Sequence, residues 1–375
     1  MRTRYSEDQQ AVAEAFGDLF AREATSEAVR AAEAGCGFDS GLWRKLAVAG
    51  APGMAVPVAG GGGGASLVDL AVVVHEWGRR IAPVPLVEHA VCARLLSAAG
   101  GQGPCGGLVG AVVSGELIAT IAPGPVTDEG AARLVPAGAV ADVVAARRDD
   151  GVVVARGRPP GTARPNTADL PLADRDLSGA EPLVSGEAAT VAWDRALSEW
   201  KALMAVAYAG LAGEVLAMGV AYTKQRRQFG VPVGSFQAVQ HGLADAATRS
   251  EGARLLAFRA VCALDAGRAD GPRLASMALL FGADAARFAA DRVLQYHGGY
   301  GYSAEYDVQL YYRRAAGWLL QLGEPGAEIA RLAGTDLGPK RPGGQAAYRD
   351  ARSTGPNGTV ARAASGRSEQ EPEWH

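Results

Sequence analysis

The residues with the clearest chemical potential lie in two short stretches of the C-terminal third. Tyr222 to Gln237 reads Y-T-K-Q-R-R-Q-F-G-V-P-V-G-S-F-Q, and Gln295 to Gly301 reads Q-Y-H-G-G-Y-G. In the first, Arg226 and Arg227 stand directly before a Phe-Gly turn. Arginine presents a planar fork of donors that matches phosphate oxygens, so this arrangement suits a diphosphate. The alternative is a solvated basic helix end, the ordinary fate of exposed charge. In the second, Gly298, Gly299 and Gly301 let the backbone lie against a planar or phosphorylated ligand, or simply make a turn.

Helices must carry both stretches. The pattern over Ala196–Arg227 is helical and alanine-rich, with Gly230 and Pro232 as stop signals. Ala238–Leu264 predicts a second helix, and Pro272–Leu294 a third that closes just before Gly298-Gly299. Small residues let helix backbones approach closely, so a tight bundle is expected.

Ahead of the bundle the texture changes. Leu117–Ile121, Val140–Ala145 and Val152–Val154 are short strand-length runs separated by Gly, Asp and Pro, and Arg158–Arg175 is polar and proline-rich, hence loops. Further upstream, helices are predicted from Ser6 to Phe20, over Phe38–Gly50 and from Ser66 to Gly78. The glycine run Gly60–Gly64 is followed by no Lys-Ser/Thr pair, so it reads as a flexible turn and not a phosphate loop. His75 has no acidic or nucleophilic partner fixed beside it by spacing and reads as packed or surface-bound.

The fold class is therefore α+β, mainly α. An N-terminal helical domain is expected over 1–107, a small β domain over 108–193 and a C-terminal four-helix-type bundle over 194–337. A tail over 338–375, rich in Gly, Pro, Ser, Arg and Glu, is expected to be disordered.

Composition excludes several function classes. A net charge of −3 without long like-charged runs argues against nucleic-acid binding by general attraction. Cys36, Cys92, Cys105 and Cys262 are scattered and show no C-x-x-C spacing, so neither a metal site nor a disulfide framework is expected. No apolar signal core opens the chain, and the most apolar stretch, Ala202 to Val220, carries Glu214 and several glycines. A cytoplasmic protein without membrane attachment is expected.

The pattern Y-x-x-x-R-x-Q-F-G-x-P-x-x-x-F-Q resembles the C-terminal helical domain of the acyl-CoA dehydrogenases, and Q-x-x-G-G-x-G follows at the family's distance. The segments F-D-x-x-L-W-x-x-L-A-x-x-G, V-P, the glycine cluster and H-E-W-G-R are similar to the family's N-terminal helical domain. Val135–Val144 is similar to its middle-domain strand pair. The resemblance implies FAD as cofactor, with Arg226, Gln228, Phe229 and Gln237 contacting it from the first motif and Gln295, Gly298 and Gly299 from the second. In the family the second motif meets the FAD of a neighbouring subunit, which implies a homo- or hetero-oligomer. The implied reaction is α,β-dehydrogenation of an acyl-CoA or carrier-bound thioester, with electrons passed to an electron-transfer acceptor. Two departures stand out. The family's T-E-x-x-x-G-S-D segment is replaced by Ala122-Pro123-Gly124-Pro125-Val126, and the middle domain is short. The short middle domain, together with the altered segment Leu320–Arg331, resembles members built as mixed α/β assemblies acting on bulky steroid-type acyl-CoAs.

The implied reaction needs a carboxylate to remove the α-proton. Counting back from Glu328-Ile329-Ala330-Arg331 puts Glu324 at the family's base position, and Glu324 is the expected base. Counting forward from Glu305 and Arg313 puts Leu322 there instead. Members with a helix-borne base match at Trp200, with Glu199 one residue off. The alternative is a partner subunit without a base of its own, completing a flavin site at an interface.

Overall fold

The computed structural model describes residues 5–99 and 106–336. The chain clusters into a compact unit, Met1–Leu332, and a second unit, Ala333–His375, of which only the last residues of one helix are described. The predicted tail over 338–375 lies outside the described residues.

The N-terminal part is helical: α1 (Glu7–Glu23), α2 (Ser26–Glu33), α3 (Ser40–Val48), α4 (Leu67–Arg79), α5 (Leu86–Ala98) and α6 (Gly106–Val113). Local chemistry explains the starts. Ser6 and Gln9 form a capping box on α1, and Ser66 and Asp69 form another on α4, each satisfying backbone donors that the first turn leaves open. Helix α5 escaped the sequence reading. It reads L-V-E-H-A-V-C-A-R-L-L-S-A and is buried almost all round, so it has no polar face to create a 3.6-residue period. The short α2 and α6 were missed as well. Between α3 and α4, Gly60–Gly64 forms a turn, as expected. A side chain at Gly62 would strike the Val56 carbonyl at 2.3 Å, so the turn is closely packed as well as bent.

The middle part contains β1 (Ala119–Ala122), β2 (Ala131–Val135), β3 (Val143–Arg148), β4 (Gly151–Arg156), β5 (Ala173–Asp176) and β6 (Glu181–Ser185). One sheet has the order β1-β3-β4-β6, with β1 parallel to β3 and the remaining pairs antiparallel. Strands β2 and β5 form a separate antiparallel pair. Three of these strands carry the predicted runs, displaced by one to three residues at their starts. The others contain Pro, Asp or Arg and gave no alternation to read.

The C-terminal part holds α7 (Glu187–Gln225), a hairpin of β7 (Arg227–Gln228) and β8 (Val231–Pro232), then α8 (Gln237–Asp265), α9 (Gly271–His297), α10 (Val308–Gly317) and α11 (Pro325–Asp336). Two expectations need correction. Helix α7 starts at Glu187, so Trp193 belongs to it and not to the β region; the alanine-rich run E-A-A-T-V-A-W-D-R-A is already helical. It also ends at Gln225, because Arg226 turns to an extended conformation (φ −67°, ψ 126°). The arginines therefore lie beyond the helix.

Helix α7 is the axis of the structure. Among the described residues it alone is long and apolar enough to cross a bilayer, yet 67% of that stretch is buried inside the protein, as befits a core helix. It packs on α4, α5, α8 and α9. The α4–α7 crossing is set by backbone: a Cβ on Gly78 would sit 2.3 Å from the Ala207 carbonyl oxygen, and one on Gly210 would sit 2.2 Å from that of His75. One core joins Trp43, Leu46, Val73, Leu96, Trp200 and Leu203, while Val135, Val144, Val153 and Leu177 form a separate core in the β region.

Candidate functional site

The R-x-Q-F-G segment is a hairpin that follows α7. Phe229 (φ 52°) and Gly230 (φ 82°) both take left-handed backbone, as a two-residue I′ turn requires, and β7 pairs with β8 on either side. Phenylalanine is an unusual residue to hold there. Its ring is 92% exposed and meets Phe236 edge-on at 6.2 Å, just before Gln237 opens α8.

The second motif closes α9. Gly298 has φ 61° at the helix end, where its N–H bonds the Gln295 carbonyl. The two motifs are far apart in sequence and adjacent in the fold. The Tyr222 ring stacks on His297 at 3.8 Å, and the Arg226 guanidinium lies 5.6 Å above the Tyr300 ring. Burial lowers the His297 pKa, and its Nδ1 lies 2.7 Å from the Val293 carbonyl, so it serves as a neutral packing ring. Arg226, Gln228, Phe229, Gln237, Gln295, Gly298 and Gly299 are all exposed. Neither Arg226 nor Arg227 has an acidic partner among the described residues.

Glu324 stands apart from this face in sequence and environment. A 3-10 turn over Leu319–Leu322 ends at Gly323 (φ 100°), and Glu324 follows, exposed, with its carbonyl accepting from Ala327 N–H. Leu322 instead packs against the core. Of the two registers, the residue turned inward is leucine and the one turned outward is glutamate.

Other carboxylates are buried, and most are paired. Glu199 is bound by Arg94 through two bonds of 2.8 and 2.9 Å and by Arg195 at 2.9 Å. It borders an apolar cavity of about 510 Å³ between α5 and α7, lined by Leu95, Ala98, Val191 and Ala192. Trp200, beside it, is fully buried. Glu328 pairs with Lys201 at 2.7 Å and with Arg331; burial alone would raise its pKa, but hydrogen bonds from Arg331, Lys201 and Ser276 hold it down at about 2. Glu88 differs. It is fully buried on α5, takes part in no ion pair among the described residues, and burial pushes it up to about 7. A backbone N–H and then the Trp200 indole N–H pull this value back, the indole without reaching full hydrogen-bond geometry. Beside it, burial pushes His89 down to about 4, with Nε2 2.9 Å from the Val112 carbonyl and Nδ1 accepting from Ala119 N–H. No motif marks Glu88 in the sequence. The signal was present as an acid inside the apolar run Leu86–Val91.

Comparisons with known proteins agree along the chain. The family model for the acyl-CoA dehydrogenase C-terminal domain matches residues 190–323, and that for the N-terminal domain matches 6–115. Acyl-CoA dehydrogenase IpdE2 of Mycolicibacterium smegmatis is 33% identical over 331 residues, covering 87% of this chain and 98% of the relative. This chain belongs to the acyl-CoA dehydrogenase family. IpdE2 of Mycobacterium tuberculosis is also 33% identical, over 330 residues, covering 87% of this chain and 96% of the relative. Among solved structures, a variant of the Tcur3481–Tcur3483 steroid ACAD matches with a TM-score of 0.78 at 28% identity, covering 92% of this chain and 99% of the other. The ChsE4–ChsE5 complex from Mycobacterium tuberculosis matches with a TM-score of 0.74 at 27% identity, covering 89% and 98%.

As a member of this family the chain is a flavin oxidoreductase with FAD as cofactor. The residues present fit part of that group. Guanidinium, amide and glycine backbone donors on one exposed face suit the diphosphate half, and a Cβ on Gly298 or Gly299 would meet nothing within 4 Å, so that backbone is open to approach. The β-domain loop differs from the family pattern: Pro123–Asp128 together with Arg147–Asp149 and Trp193 lines a wide cavity of about 720 Å³.

Proposed function

We propose that this chain is one subunit of a mixed FAD-dependent acyl-CoA dehydrogenase that desaturates a bulky, steroid-type acyl thioester between its α and β carbons. In this reading Arg226, Gln228 and Gln295 bind the diphosphate half of FAD, the Gly298-Gly299 backbone lets it approach, and Phe229 and Gln237 flank it. FAD held by these residues would supply the hydride acceptor for the β carbon, with an electron-transfer protein as the outlet for the electrons. The carboxylate that removes the α-proton comes from a sister subunit. One observation carries this assignment: Leu322 fills the inward position of the base segment, while Glu324 points to solvent. A general base must reach the proton it abstracts within hydrogen-bond distance, and a desolvated pocket is what raises its pKa. The Tcur3481–Tcur3483 steroid ACAD supports the substrate class, and the ChsE4–ChsE5 complex supports the mixed assembly.

The test is purification of the full chain alone and with its sister subunit. Turnover of an acyl-CoA with an artificial electron acceptor is expected only for the pair. A Glu324→Gln variant of the pair is expected to keep turnover within about twofold. A loss of several orders of magnitude with FAD retained would return the base to Glu324.

A further inference from the structure

Among the described residues the Arg226 side chain makes no hydrogen bond and no ion pair; its guanidinium rests over the Tyr300 ring, 5.6 Å from the centroid. The kind of partner matters. An acidic side chain would cancel the charge and occupy donors of the guanidinium fork. An aromatic ring attracts the cation through its quadrupole and uses none of them. An incoming phosphate therefore finds every donor free.

The ring itself is held from several sides. Tyr300 is 49% exposed on the 3-10 turn Gly298–Tyr302, whose glycines alone would leave it loose. Tyr306 stacks on it at 5.3 Å and meets His297 edge-on at 6.2 Å. Beside Tyr300, Gly301 lies so close to α9 that a Cβ would sit 2.5 Å from the Leu294 carbonyl oxygen. Arg30 of α2 grips the chain on both sides of Tyr306: it donates to the Ala304 and Glu305 carbonyls at 3.1 and 3.3 Å and pairs with Asp307 at 2.8 Å. One turn further along α2, Glu33 pairs with Arg313 at 2.6 Å and with Arg314 at 3.1 Å. Helix α2 thus fastens the stretch that brings Tyr306 to Tyr300.

We propose that Tyr300 is a positioning residue for the cofactor: its ring, steadied by Tyr306, orients the Arg226 guanidinium for the FAD diphosphate and leaves all its donors available. The inference rests on the reading of Arg226 as a diphosphate ligand and deepens it. An arginine side chain free in solvent loses much rotamer freedom when it binds an anion. A ring that restricts it beforehand lowers that cost, and the gain appears as affinity. Tyr300 acts only through Arg226, so its contribution is expected to vanish when Arg226 is removed.

The test is a double-mutant cycle on FAD binding. FAD is titrated into the deflavinated full-length chain with its sister subunit, and binding is read from flavin fluorescence. Tyr300→Leu and Tyr300→Gln are each expected to weaken binding about three- to fivefold, and Tyr300→Phe, which keeps the ring, to stay within about twofold of wild type. In an Arg226→Met background, Tyr300→Leu is expected to have no further effect. A purely structural role would lower affinity equally in both backgrounds. Wild-type affinity in Tyr300→Leu and Tyr300→Gln, with binding weakened in Arg226→Met, overturns the positioning role and leaves Arg226 as the ligand. A loss from Tyr300→Leu that persists in the Arg226→Met background also overturns it. Wild-type affinity in Arg226→Met overturns the diphosphate reading itself.

Discussion

Glu88 and His89 are sequence neighbours that burial drives in opposite directions, and together they hide each other in a pH titration. For Glu88 the folded pKa of about 7 lies above the ordinary 4.5, so the folded state binds more protons and stability falls as pH rises through that window. For His89 the folded value of about 4 lies below 6.5, so the unfolded state binds more protons and stability rises with pH over that range. In wild type the two slopes oppose each other across the overlap. Replacing Glu88 by Gln is expected to unmask the rising slope from His89, read as urea-unfolding stability measured at several pH values between those limits. Glu328 behaves more simply. Its folded pKa is depressed, so its contribution is present above 4.5 and is lost as pH falls toward about 2. At neutral pH, Glu328→Gln leaves Lys201 buried without its anion and is expected to cost about 3–5 kcal/mol by denaturant unfolding. At the cofactor face, Arg226→Met is expected to lower FAD content at purification by about tenfold without changing the melting temperature of the apoprotein, since the side chain is exposed.

At the scale of elements, two features make separable claims. The α4–α7 crossing leaves no room for a side chain at Gly78 or Gly210. Gly210→Val is expected to destabilise the protein by about 2–4 kcal/mol, visible as a lowered thermal midpoint, because backbone must move to admit it. The β7–β8 turn makes the opposite kind of claim. Asparagine suits its left-handed first position better than phenylalanine does. Phe229→Asn is therefore expected to leave stability unchanged or slightly raised while FAD affinity falls, a combination measured by thermal shift with and without added FAD. Why would the chain tolerate an exposed ring at a strained position? The cofactor-binding reading gives it something to contact.

For the molecule as a whole, much of the architecture was legible because amphipathic helices and glycine stops leave a period in the sequence. Helices α1, α3, α4, α8 and α9 fell where the spacing of Leu, Val, Phe and Gly put them. The all-buried α5 did not, since burial on every side erases the period. The same erasure hid Glu88, the one buried acid among the described residues that no cation holds. Both flavin-motif segments could be located from residue types, but their meeting through Tyr222 and His297 depends on how α7 and α9 pack. The register around Glu324 turned on a backbone reversal at Gly323 that residue counting does not reveal.

The length of α7 has a consequence for how active sites are shared out. Trp200, beside Glu88, and Arg226, at the hairpin, are separated along this single helix by about 39 Å at 1.5 Å per residue. That exceeds the diameter of a small domain, roughly 30 Å, and no dinucleotide stretches so far. Helix α7 acts as a ruler that holds the hairpin carrying Arg226 and the Trp200–Glu88 region too far apart for one cofactor molecule to touch both. On the mixed-subunit reading proposed above, each end is completed by a different neighbour, and one chain serves two separate reaction centres.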